Sequence, residues 1–259
     1  MGEYANVNGL WTYYDTSGAG DPLVLLHGGG VTADSWFAQL PVLAGHYQVF
    51  APERRGHGRT PDMEGPVTSE IMADDTVAFL EALETGPVHL IGWSAGGTVA
   101  LRLALRRPDL VRKLVLIGTG LSRDASTPDD LALVHGPDPE ALAALFRPQY
   151  EPLSPDGPGH FPVVFAKWLR MWREEPDIEL STLAGLPMPV LVMQGDGDGL
   201  RVEHSAAVAA AIPDAQLAVV PGTSHALPLE KPALVNQLLL DFLAEQQAPK
   251  LFPLGALSS

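Results

Sequence analysis

Short apolar runs that stop at glycine or proline recur along this chain, and they restrict its fold more than any other feature. They are PLVLLHG (Pro22–Gly28), YQVFAP (Tyr47–Pro52), PVHLIG (Pro87–Gly92), KLVLIG (Lys113–Gly118), PVLVMQG (Pro189–Gly195) and AQLAVVPG (Ala215–Gly222). Strands buried on both faces read this way, as in parallel sheets. Segments of helical length separate most of them: Ser69–Glu84, Ala95–Arg107 and Glu203–Ile212. A last helix is expected over Pro232–Gln246, with proline in its first turn. Near the front, GLWTYYDTSG alternates and turns, which predicts an antiparallel hairpin at a sheet edge. Strands alternating with helices build βαβ units with right-handed crossovers. The predicted class is α/β, a mostly parallel sheet flanked by helices.

One stretch breaks the rhythm. Between Leu121 and Leu186 there is no apolar strand run, and proline and acidic residues crowd together in STPDD, HGPDPE and EPLSPDGPGHFP. A structureless loop of that length is rare inside a compact domain. Helical pieces are expected at Asp138–Phe146 and Phe161–Trp172. Phe161, Phe165, Trp168 and Trp172 share one stripe of the second piece, which either packs the segment onto the main body or roofs a pocket. The tail APKLFPLGALSS is expected to be loosely held.

Charge and composition narrow the partners. The 259 residues include 16 basic and 31 acidic side chains, a formal charge of −15, which disfavours nucleic acid and anionic membrane surfaces. No apolar run approaches the roughly 18 residues of a membrane span. The start, MGEYANVNGLWTYYD, lacks the pattern of a secretory signal, so a cytoplasmic location is the expectation. There is no cysteine, which removes disulfides and thiolate chemistry. The expected partner is a small-molecule substrate, and a homodimer is allowed.

Chemistry concentrates where strands end. Gly92-Trp93-Ser94-Ala95-Gly96 fits G-x-S-x-G and lies between a strand run and a helix, where that motif exposes a serine on a tight turn. A serine hydroxyl needs a base to take its proton. Among eight histidines, His225 follows the last strand run and directly precedes the final helix, at a carboxyl strand end where α/β sheets place catalytic groups. His27 and His89 lie in or beside strand runs and His57 in a glycine-rich turn, which suits structural roles. The base in turn needs a carboxylate to orient it, and VLVMQGDGDG offers Asp196 and Asp198. The order serine, acid, histidine is that of α/β-hydrolases. Gly28, Gly29 and Gly30, after the first long strand run, have backbone N–H groups able to join that of Ala95 around an oxyanion. Neither a P-loop nor a dinucleotide fingerprint is present.

Taken together, HGGG at 27–30, ERRGHGRT at 53–60, GWSAGG at 92–97, GDGD at 195–198 and SHALPLEKP at 224–232 resemble an α/β-hydrolase fold serine hydrolase over nearly the full length. The resemblance implies a core formed by residues 1–120 and 187–259 and a helical cap, residues 121–186, inserted after the sixth strand. It favours Asp198 over Asp196 as the acid and Gly29 with Ala95 as oxyanion donors. Asp124 is the alternative acid, because some relatives carry it after that earlier strand. Gly30, Trp93, Phe161, Phe165 and Trp168 are the expected substrate contacts. The implied activity is hydrolysis of a small, largely apolar carboxylic ester or lactone, with no cofactor and no metal. Ser94 in place of aspartate disfavours epoxide hydrolases and haloalkane dehalogenases. Ala226, where carbon–carbon bond hydrolases often carry tryptophan, weakens that reading. A lyase using the same triad and a non-catalytic ligand-binding member are the remaining alternatives.

Overall fold

In the computed structural model, which describes residues 2–244, the apolar runs become the strands of one sheet ordered β1-β2-β4-β3-β5-β6-β7-β8. The strands are β1 (Gly2–Val7), β2 (Leu10–Ser17), β3 (Pro22–Leu26), β4 (Gln48–Pro52), β5 (Val88–Trp93), β6 (Val111–Ile117), β7 (Val190–Gly195) and β8 (Ala215–Val220). From β4 onward across the sheet every pairing is parallel, while β1 and β2 add an antiparallel hairpin at one edge. Asn8 and Gly9, with φ of 53° and 82°, make its two-residue turn.

Every residue of β5 and β7 is buried, as continuous apolar runs require of strands covered on both faces. One face is covered by α2 (Ser69–Ala82), α3 (Ala95–Arg106) and α7 (Val202–Ala211). The other is covered by the short α1 (Leu40–Leu43) and by α9 (Pro232–Leu243), which sends Val235, Leu239 and Phe242 inward. The expectation for β8 needs correction. It is the far edge strand, and only Val220 of its residues is fully buried. Its alanines and valines read like a central strand, but nothing pairs beyond it among the described residues. The tail and the last residues of the expected final helix lie outside the described residues.

Between β6 and β7 stand α4 (Pro128–His135), α5 (Pro139–Tyr150) and α6 (Phe161–Glu174), with short 3-10 turns. The proline and acid clusters that broke the strand rhythm are helix starts. Thr127 accepts the N–H of Asp130 and Asp138 that of Glu140, each with proline at the first helical position. Proline there sacrifices an N–H that has no intrahelical partner anyway, and acids in the first turn complement the helix dipole. α4 was not foreseen for this reason. One helical turn, α8 (Leu227–Glu230), lies between His225 and α9.

Strand order also fixes where a ligand can enter. β4 lies on one side of β3 and β5 on the other, so the chain reverses its direction of winding at β3. The helices then diverge, and a crevice opens beyond the carboxyl ends of β3 and β5. Gly28–Gly30 and Ser94 stand at those two ends.

Candidate active site

Ser94 adopts φ 56° and ψ −123° at the junction of β5 and α3. A non-glycine residue in the left-handed half of the map is strained, and the surrounding structure must hold it there. Its N–H donates to Ile117 O at 2.7 Å, and its carbonyl accepts from Gly97 N at 2.8 Å. The flanking glycines are needed for close approach. A Cβ at Gly92 would strike the backbone of Gly96 and Gly97, and one at Gly96 would strike the carbonyls of Leu26 and His27. The corner is sharp enough to bring β3, β5 and α3 together only because these side chains are absent. Ser94 borders a cavity of about 410 Å³.

His225 borders the same cavity, and its Nδ1 lies 2.9 Å from Asp198 Oδ1. The Asp198 side chain is fully buried, and the same oxygen accepts the N–H of Leu200 at 3.2 Å. The histidine lies deep in the fold, yet 46% of its side-chain surface is exposed because the ring faces the open cavity. Burial opposes its charged form, but the hydrogen bond and charge of Asp198, helped by Asp130, hold its pKa above the ordinary 6.5. Trp93 fixes the loop from behind. Its indole N–H donates to His225 O at 3.0 Å. Asp196 does not meet the ring and instead accepts the N–H of Thr223 at 3.2 Å, bracing the turn that carries the histidine. Asp124 is exposed in a 3-10 turn after β6.

The β3 loop closes the third side. A Cβ at Gly28 would sit 3.7 Å from that of Ser94, so this backbone runs beside the elbow. Gly29 and Ala95 both border the cavity, and the N–H of Ala95 belongs to the first turn of α3, where helical N–H groups have no intrahelical acceptor. The loop is held by a residue that sequence reasoning passed over. Arg54 is buried and donates to Gly28 O at 2.8 Å and to His27 O. Burial holds Arg54 at about 9, below the usual arginine range, and holds His57 beside it at about 3. ERRGHGRT contained the signal, an arginine two residues beyond a strand run.

The expected substrate contacts divide. Trp93 borders the cavity, but Phe161, Phe165, Trp168 and Gly30 do not. Phe161 and Trp168 are almost wholly buried, and Trp168 stacks on His57 at 4.5 Å between ring centroids. Phe161 packs on Tyr150 of α5 and on Phe165, and only the last turn of α6 reaches the cavity, through Met171, Trp172 and Arg173. Gly30, at φ 71°, turns away, and a Cβ there would collide with Phe146. Leu142 and Phe146, unforeseen as contacts, complete the apolar wall from α5. Among the described residues no cluster of three or more His, Asp or Glu is arranged to hold a metal ion. Nor is any described helix long and apolar enough to cross a membrane.

A model of the alpha/beta hydrolase family matches residues 23–238, which takes in the parallel strands from β3 to β8, the elbow and the histidine loop. The chain belongs to that family. Among its alpha/beta hydrolase relatives is the 2-hydroxymuconate semialdehyde hydrolase of Pseudomonas sp. (strain CF600), 30% identical over 93% of each chain. The structure of a meta-cleavage product hydrolase from Pseudomonas fluorescens IP01 superposes with a TM-score of 0.80 at 26% identity, covering 93% of this chain and 97% of that one. A thermophilic esterase from Thermogutta terrifontis superposes with a TM-score of 0.76 at 27% identity, covering 94% of this chain and 98% of that one. This alpha/beta hydrolase therefore resembles hydrolases of both carbon–oxygen and carbon–carbon bonds.

Proposed function

We propose that the chain hydrolyses a small carboxylic ester or lactone with Ser94 as nucleophile, His225 as base and Asp198 as the group that orients it. One observation carries the reading: a serine strained onto an elbow shares a cavity with a histidine bonded to a buried carboxylate. His225 Nε2 takes the proton as Ser94 Oγ attacks the carbonyl carbon. Gly29 and Ala95 N–H groups receive the negative charge that builds on the carbonyl oxygen. As the carbon–oxygen bond breaks, the imidazolium returns its proton to the departing alkoxide. Water, deprotonated by the same histidine, then releases the acyl group and restores Ser94. The helices of residues 121–186 act as the cap that shapes the pocket, with Leu142, Phe146 and Trp172 favouring a substrate with an apolar body.

Carbon–carbon bond hydrolysis is the second reading, favoured by the 30% identical semialdehyde hydrolase. Ala226 beside the histidine argues for the ester. A fluorophosphonate probe tests the mechanism directly. Covalent labelling of Ser94, lost in Ser94→Ala, together with turnover of short p-nitrophenyl esters supports the ester reading. Labelling without ester turnover, and with cleavage of a vinylogous diketone acid, would move the assignment to carbon–carbon bonds.

A further inference from the structure

We propose that the substrate also carries an anionic group, a carboxylate, which Arg173 and Arg123 seat on the wall of the cavity built by residues 121–186. This deepens the hydrolase reading above and rests on it. The first observation is a mismatch in pairing. With 31 acidic residues against 16 basic ones, cations on this protein should find carboxylates easily. Many do: Arg55 holds Asp75 at 2.6 Å, Arg107 holds Glu81 at 2.9 Å and Arg112 holds Asp21 at 2.9 Å. Arg123 and Arg173 both border the cavity, and neither has a carboxylate in salt-bridge range among the described residues.

Arg173 is also held in place. Its Nε donates to Val134 O and its Nη2 to Gly136 O, both at 2.8 Å, so the last turn of α4 and its cap fix the fork. Neutral carbonyls orient a guanidinium without cancelling its charge, and Nη1 keeps its hydrogens for a ligand. Arg123, Arg173 and His135 line the same cavity, and both arginines act on His135. Burial first, then the charges of Arg123 and Arg173, hold that histidine below its usual range, against the pull of Asp130.

The acidic groups of the wall do not fill this role. Asp198 is bonded to His225. Glu175 accepts from Ser69 N and Oγ and lies 3.6 Å from Arg102. Asp177 accepts the backbone N–H of Arg123 at 3.3 Å. Asp130 packs against Gly199 and acts on His225. What is left is one cavity lined by two cations, by the apolar Leu142, Phe146 and Trp172, and by Ser94. An apolar body carrying a reactive carbonyl and a separate carboxylate matches those three surfaces, since charge-assisted hydrogen bonds from a guanidinium to a carboxylate are the strong ones.

The test compares two esters of equal length, p-nitrophenyl valerate and mono-p-nitrophenyl glutarate, which differ only in a terminal carboxylate. The expected wild-type preference for the glutarate, in kcat/KM, is about tenfold or more, carried by KM. It is expected to shrink as NaCl rises from about 0.05 M to about 0.3 M. Arg173→Gln and Arg123→Gln are each expected to lower the ratio of the two esters. Arg123→Gln keeps the test open if loss of the Arg173 bonds loosens α4. Turnover of both esters with no preference for the anion, or a preference that survives both substitutions, overturns the proposal alone. Absence of turnover with both esters and of Ser94 labelling would overturn the hydrolase reading and this proposal with it.

Discussion

Ser94, His225 and Asp198 come from different strand ends, and each is held by bonds that a local substitution can test. Ser94→Ala removes the proposed nucleophile without touching the elbow backbone, so kcat for an ester is expected to fall by at least about 10³ with melting unchanged. Asp198→Asn keeps the shape but loses the charge that selects the imidazole tautomer, and a loss on the order of 10⁴ is expected. Asp196→Asn keeps an acceptor for Thr223 N–H and is expected to cost less than about tenfold. A reversal of those two effects in steady-state kinetics would transfer the role of acid to Asp196. As the proposed base, His225 must be neutral to act, and its pKa is raised above 6.5, so kcat/KM is expected to climb with pH through an apparent pKa above that value. The same raised pKa stabilises the fold most below 6.5, and that contribution is lost as pH rises through the folded value. Activity and this part of stability therefore run in opposite directions with pH. These residues were legible because glycine spacing and strand ends locate them. Arg54 was not, since its bonds to the β3 loop arise only after β3 and β4 have paired.

The helical elements between β6 and β7 were half legible. Periodicity placed α6 within two residues of its end, yet gave no sign of which part of its apolar stripe meets the cavity and which the body. A stripe records that a face is covered, not by what. In the structure Trp168 is core: it stacks on His57 and meets Tyr150 at 5.9 Å. Trp168→Ala is expected to cost roughly 3–5 kcal/mol of stability, read as a large fall in melting temperature. Trp172 is only partly buried and borders the cavity, so Trp172→Ala is expected to raise KM and reorder acyl-chain preference with a smaller loss of stability. Equal melting losses with unchanged substrate ranking would assign both tryptophans to packing. Proline near a helix start misled the reading of α4, because the residue that ends one element also opens the next.

For the molecule as a whole, the sheet order explains why the site residues meet: the order puts a reversal at β3, and that reversal fixes where the crevice opens. Charge is the other global property, and it leads to a last prediction. A formal charge of −15 makes the folded chain repel itself, while its ion pairs, such as Arg106 with Glu70 at 2.7 Å and Arg107 with Asp109 at 2.8 Å, pull the other way. Both effects weaken in salt, so their balance sets the sign of the response. The exposed pairs contribute about 0–1 kcal/mol each and act at contact distance, where screening is weakest. The repulsion acts between acidic groups many ångströms apart, where the screening length matters most, falling from about 30 Å at 0.01 M to about 8 Å at 0.15 M. Net repulsion therefore loses more than the pairs do, and the melting temperature is expected to rise between those two concentrations of NaCl at pH 8. Lowering the pH toward the isoelectric point of about 4.8 is expected to shrink that salt response, because protonated carboxylates leave less charge to screen. A melting temperature that falls with salt at pH 8 would mean that the arginine pairs outweigh the excess of acid.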